Sequence, residues 1–317
     1  MSLRSALAVL LGAALLASCG GGGQVEPFAP TRVVAFGDEL SALDAAGRKY
    51  SINAFKITNA TTTPPTESAT ELDCTRNPIW TQAVATAFNL AFDRCLGSAT
   101  VASGLALAAP GAKVADFAAQ RAAVGGAAMS KKDLALVLFG MNDILELYAR
   151  YPTTGRDALL AEARTRGESL GAQVNALAQS GPPVLVLTVP DLGLTPFARA
   201  QNTSTNDPTR STLLTDLTAA FNNRMSVTLI NDGRLIGLVY ADIELQTEYK
   251  FPVAVGPANV NDPACLATAA LPGCTTSTLV ANATSSTHLW ADALLPGPTY
   301  QTRLGSLAAF RARNNPF

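Results

Sequence analysis

Three stretches of this 317-residue chain share one design. VVAFGDELSALD (Val33–Asp44), DLALVLFGMND (Asp133–Asp143) and PVLVLTVPDLG (Pro183–Gly193) each carry a run of apolar residues without polar alternation, closed by glycine or proline and then carboxylates or amides. An apolar run of this length, stopped by turn residues, reads as a strand buried on both faces. Such strands belong in a parallel sheet whose crossovers lay helices on either side. Leu235–Ala241 is a fourth run of the same kind. In a sheet of this type the polar groups at the carboxyl ends of the strands gather into one crevice. That rule brings together Gly37-Asp38-Glu39, Gly140-Met141-Asn142-Asp143 and Pro190-Asp191.

Between the strands the apolar spacing turns helical. Trp80, Val84, Phe88 and Phe92 recur every four residues and predict an amphipathic helix over 79–92. Over 156–179, Leu159, Ala163, Gly167, Leu170, Val174 and Leu177 share one face, and Gly181 ends the helix. Asp207-Pro208 supplies a cap and a first-turn proline for a helix carrying Leu214, Leu217, Phe221 and Met225. A last helix, 298–313, is expected to turn Tyr300, Leu304 and Leu307 inward. Residues 45–78, rich in Thr, Pro and Asn, read as a surface excursion, and 251–287 as loop.

The first eighteen residues stand apart. MSLRSALAVLLGAALLAS has one cation, Arg4, then an apolar run too short to span a bilayer comfortably, the layout of a secretory signal. Leu16-Ala17-Ser18-Cys19 is similar to the bacterial lipobox, in which the cysteine takes acyl chains of the palmitate type and becomes the new N-terminus. At about 0.8 kcal/mol per buried methylene, several chains anchor a protein durably. Gly20 follows Cys19 where inner-membrane retention usually places aspartate, so an outer-membrane destination in a Gram-negative envelope is expected. Residues 19–31, with the glycine run and QVEPFAP, form a tether, and 32–317 one domain.

Charge narrows the partners. Without the leader, 22 basic residues face 24 acidic ones, a net charge of 22 − 24 = −2, and no basic block occurs. Nucleic acid is not expected as a partner. With Cys19 assigned to lipid, Cys74, Cys95, Cys265 and Cys274 remain, an even set that in an exported chain reads as disulfides. Three pairings are open, of which Cys74–Cys95 and Cys265–Cys274 close the shortest loops. Their spacing fits no zinc pattern, and neither metal nor cofactor is expected; Asp38, Glu39 and Asp292 together form no acidic loop pattern for calcium or magnesium.

The strand ends carry a resemblance. VVAFGDELS, AAPGA (Ala108–Ala112), FGMND and LWADALLPGPTYQ (Leu289–Gln301), with NVNDPAC just before the last, resemble the four ordered blocks of the SGNH or GDSL ester hydrolases. The resemblance implies a flavodoxin-like three-layer α/β/α sandwich around a central parallel sheet of about five strands. It also implies a Ser-His-Asp triad and an oxyanion hole built from the serine amide, a glycine and an asparagine. Gly111 matches the oxyanion glycine, Asn142 the oxyanion asparagine and Asp292 the triad aspartate. Glu39 stands at the nucleophile position, Leu295 at the base, and Gln301 where a second histidine often falls. Ser41 matches a second serine that does no chemistry.

No other group fills the two gaps. The single histidine, His288, sits four residues before Asp292, about 13 Å back along an extended segment, and reads as a solvated or edge-strand residue. Losing a nucleophile or a base costs a triad hydrolase on the order of a million-fold in turnover. Glu39 then has three readings: a solvated residue of a lapsed site, a carboxylate filling the oxyanion hole through Gly111 and Asn142, or a carboxylate catalyst paired with Asp292 or Asp143. The sequence thus points to a lipid-anchored envelope protein that binds an acyl, glycan or protein ligand. The alternative is a hydrolase of esters or glycans by a carboxylate route or a relocated nucleophile.

Overall fold

The computed structural model describes residues 27–317 apart from Ala127. The leader, Cys19 and most of the tether lie outside the described residues.

The chain opens with β1 (Arg32–Gly37) and a 3-10 turn over Glu39–Ser41. An exposed antiparallel hairpin, β2 (Phe55–Asn59) and β3 (Thr66–Leu72), occupies part of the segment expected to be loop. Next come α1 (Trp80–Ala87), β4 (Gly104–Ala106), α2 (Phe117–Ala122), β5 (Asp133–Leu138), α3 (Met141–Ala149) and α4 (Arg156–Gln179). They are followed by β6 (Val184–Leu187), α5 (Pro196–Ser204), α6 (Arg210–Thr228), β7 (Ile236–Val239), α7 (Ala241–Lys250) and the short α8 (Pro252–Val255). The strands β8 (Asn259–Pro263) and β9 (His288–Trp290) pair in parallel, and α9 (Pro298–Asn314) ends the domain.

Five strands make the central sheet, in the order β4-β1-β5-β6-β7, all parallel. The apolar runs explain the placement: every residue of β5 and β6 is buried. The chain steps one way from β1 to β4 and the other way from β4 through β5 and β6 to β7. Right-handed crossovers therefore lay α1 on one face and α2 to α6 on the other. The helix packing agrees, α9 returning against α1 and α4 packing along α6. This is the three-layer α/β/α sandwich expected, with the flavodoxin-like strand order.

Several boundaries differ from those expected. The first amphipathic helix stops at Ala87, not Phe92, because Asn89 adopts φ +57° and the amide of Leu90 turns back to the carbonyl of Ala85. Phe92 keeps its burial by bridging to Gly104 outside the helix. Asp207 caps a turn, its carboxylate accepting from the amide and hydroxyl of Thr209, and α6 begins only at Arg210. On α9 the inward line is Tyr300, Leu304, Ala308 and Ala312, whereas Leu307 is 40% exposed. Segment 251–287 holds α8 and β8 as well as loop. The described cysteines pair as Cys74–Cys95 and Cys265–Cys274, the two local loops.

Candidate functional site at the carboxyl end of the sheet

Gly37 ends β1 against its neighbour so closely that a Cβ would stand 2.2 Å from the carbonyl oxygen of Leu138. Its amide donates to Oε1 of Gln120 at 2.9 Å, and its carbonyl accepts from Nε2 of the same side chain at 2.8 Å. This clamp fixes where the chain leaves the sheet. Asp38 then caps the 3-10 turn, one oxygen accepting from the amide of Leu40 at 3.1 Å. Asp38 is fully buried, and burial, reinforced by the charge of Glu39, pushes its carboxyl well above the usual carboxylate range.

Glu39 follows, half-buried at the mouth of the crevice. Its Oε1 accepts from the amide of Gly111 at 2.7 Å, and its Oε2 from Nδ2 of Asn142 at 2.8 Å. The two donors are fixed independently of it. Gly111 has φ +77° with open space where a Cβ would sit, so glycine serves here for its backbone conformation, which turns the amide toward Glu39. Asn142 lies in the first turn of α3, and its Nδ2 also donates to the carbonyl of Ala112 at 3.1 Å. The amide at the start of a helix suits a carboxylate partner.

Asp292 belongs to the loop between β9 and α9. Its Oδ1 accepts from the amides of Leu294 and Leu295 at 2.8 and 2.7 Å, closing a tight turn. Burial first, and the charge of Glu39 to a lesser degree, raise its carboxyl above the ordinary range. Leu295 is packed away, 5% exposed. The remaining candidates are held elsewhere. Asp143 accepts from the amide of Val114 at 2.9 Å and meets Arg166, so it fastens the Gly111 loop to the helix layer and is not a partner of Glu39. Ser41 is buried, its hydroxyl accepting from the indole N–H of Trp80 at 3.2 Å. Gln301 accepts from the backbone amide of Trp80 at 3.0 Å and so serves the start of α1.

His288 lies on β9, an edge strand as expected, but it is not solvated. The chain at Pro296 and Gly297 folds back over this strand, the amide of Gly297 donating to Leu289, and only 9% of His288 is exposed. Its Nδ1 stands 2.9 Å from the hydroxyl of Thr287, and burial lowers its pKa. It hydrogen-bonds to neither Glu39 nor Asp292 among the described residues. No group of three or more His, Cys, Asp or Glu is placed to hold a metal ion among those residues.

Beside Asp292 opens a cavity of about 330 Å³ lined by Pro263, Leu266, Ala269, Ala270 and Ala293. A larger one, about 660 Å³ between Arg121, Met129 and Leu177, has no lining residue in common with these groups. Sequence reasoning missed this apolar wall and the Gln120 clamp. No spacing signals either, since both come from segments distant in the chain.

The family model described as GDSL-like Lipase/Acylhydrolase matches residues 33–267. The chain belongs to this family. The match takes in Glu39, Gly111 and Asn142 and stops short of Asp292 and Leu295. Among solved structures the fold is similar to Axe2, an acetylxylan esterase from Geobacillus stearothermophilus, at 12% identity and TM-score 0.44, covering 90% of this chain and 96% of that one. It is also similar to a lipolytic protein of the G-D-S-L family from Veillonella parvula, at 11% identity and TM-score 0.40, covering 89% and 95%. Est24, a carbohydrate acetylesterase from Sinorhizobium meliloti, gives 15% identity and TM-score 0.38, covering 87% and 96%. No curated protein sequence matches the chain.

Proposed function

We propose that this member of the GDSL family is a lipid-anchored envelope protein that has lost serine ester hydrolysis and binds a ligand in the old cleft. One observation carries the reading: the carboxylate of Glu39 occupies the two donors, Gly111 and Asn142, that an oxyanion would need. Stabilisation of a developing oxyanion is commonly the largest contribution such a site makes. A fixed negative charge in that place repels the charge that acyl transfer builds. The position for a general base holds an apolar side chain, and with His288 committed to its own strand no imidazole faces the cleft.

Of acyl, glycan and protein ligands, a glycan suits the residues best. A carboxylate has about four acceptor sites; Glu39 uses one on each oxygen, and Oδ2 of Asp292 takes no hydrogen bond among the described residues. Sugar hydroxyls donate to such acceptors, and the apolar wall by Ala269 and Ala293 supports a ring face. The lipid anchor rests on Cys19 and the leader.

Purified protein incubated with p-nitrophenyl acetate and with a fluorophosphonate probe is expected to show neither turnover nor labelling. Turnover abolished by Glu39→Ala, or an acyl group trapped on any serine, would overturn the reading. Metabolic labelling with a palmitate analogue tests the anchor, with loss of label expected in Cys19→Ser.

A further inference from the structure

The two ends of the sheet differ in charge and in what they leave uncovered. At the carboxyl end stand Asp38, Glu39, Asp191 and Asp292. At the amino end stand the exposed cations Lys131 and Lys132, which directly precede β5, with Arg311 and Arg313 on the last turn of α9. The acids at that end, Asp133 and Asp232, are taken up by Arg32 and Arg234. The whole of α9 carries arginines and no acid.

Among the described residues, the same end bears apolar side chains that nothing covers. Phe310 is 67% exposed and Leu307, one turn earlier on the same face of α9, is 40% exposed. Arg313, three residues after Phe310, lies over the ring of Phe88. Phe88 in turn packs edge-on against Phe28, which also meets Phe317 at 5.2 Å. The chain therefore leaves the domain toward its N-terminus beside this patch.

Nine chain steps separate Cys19 from Phe28. They span about 30 Å fully extended, and a glycine-rich coil of that length averages about 17 Å. A lipid on Cys19 would therefore hold the basic end of the sheet at the bilayer surface. The cleft opens past the opposite ends of the strands, about 20 Å farther on for a six-residue strand.

We propose that the amino end of the sheet, which carries Lys131 and Lys132 as well as Arg311, Arg313 and the exposed Phe310 and Leu307 of α9, rests on an anionic phospholipid surface, so that the carboxylate cleft faces away from that bilayer. This rests on the anchoring of Cys19 argued above. It sets the ligand class further: the cleft addresses polar material standing off the membrane and not the lipids beneath it.

The test uses the full-length lipidated protein in phosphatidylglycerol-containing vesicles with brominated acyl chains, which quench nearby indoles. Trp80 and Trp290 are 0% and 1% exposed, so a tryptophan added at the surface is read against a fixed background. Phe310→Trp is expected to lose about twofold more fluorescence than Ala293→Trp at the cleft rim. The difference should shrink in vesicles of neutral lipid or at high salt. Quenching of Ala293→Trp equal to or above that of Phe310→Trp would overturn the orientation, as would vesicle flotation with neither quenched. Failure of the lipidated protein to float would remove the anchor itself and the orientation with it. That result is separable from the others because it precedes any quenching.

Discussion

Glu39 places a charge where donors already converge, and the neighbouring carboxylates feel it. Its charge raises the carboxyls of Asp38 and Asp292, adding to what burial does to each. Replacing it by a neutral group of the same shape removes repulsion but leaves burial in place. Glu39→Gln is therefore expected to lower both pKa values, with both still above the ordinary carboxylate range, as followed by carboxyl carbon NMR titration. Unchanged titration of both would mean that solvent screens the site and that the three carboxylates are independent. At this scale much was readable in advance. Glu39 and Asn142 sit at strand ends, where the parallel sheet predicts convergence, whereas Gly111 and Asp292 follow only from the resemblance to the ester hydrolases. The Gln120 clamp was not readable, because its partner Gly37 lies 83 positions away. Nor was the burial of His288, which comes from a loop folding back over its strand.

At the scale of elements, α4 and α6 cross with almost no room between them. A Cβ on Gly167 would lie 2.2 Å from the carbonyl oxygen of Phe221 and 3.0 Å from its carbon, both backbone atoms. Alanine is the better helix former by about 1 kcal/mol, so propensity alone predicts that Gly167→Ala stabilises. The clash with backbone forces the helices apart, which costs on the order of 1 to 3 kcal/mol or more in a packed core. A net loss of stability is expected, seen as a lower urea midpoint with an unchanged slope; a gain would show that the crossing is loose. The sequence placed Gly167 on the buried face of this helix but gave no sign that it touches backbone. Elements long enough to show a period were legible, as with 156–179. The three-residue strand Gly104–Ala106 shows none, and α3 begins inside a motif that reads as strand end. The overlong helix over 79–92 has a physical cause too: Phe88 and Phe92 are apolar for packing in a turn, and helical spacing cannot separate that from a continued helix.

For the molecule as a whole, pH dependence between neutrality and mild alkali falls on few groups. Glu248 on α7 is fully buried with Arg303 of α9 3.2 Å away, and burial pushes its carboxyl up to about 8. A carboxyl raised in the folded state contributes stability that is complete below its unfolded pKa and is lost as pH rises through the folded value. Carboxylates lowered by their partners, such as Glu146 at about 2, are ionised in both states here and add no slope. His288, lowered by burial, acts in the opposite sense only up to the ordinary histidine value of about 6.5. Buried Lys49, lowered to about 8, begins to add stability only above that pH. Between about pH 6.5 and 8 the balance therefore falls to Glu248. From its raised pKa the protein should lose roughly 1 to 2 kcal/mol over that window. Glu248→Gln should remove that part of the fall while leaving stability near pH 5 little changed, as measured by urea denaturation at each pH. A wild-type profile flat across the window, or a variant that falls as steeply as the wild type, would mean that Arg303, which also pairs with Glu244 of α7, holds Glu248 ionised at neutral pH.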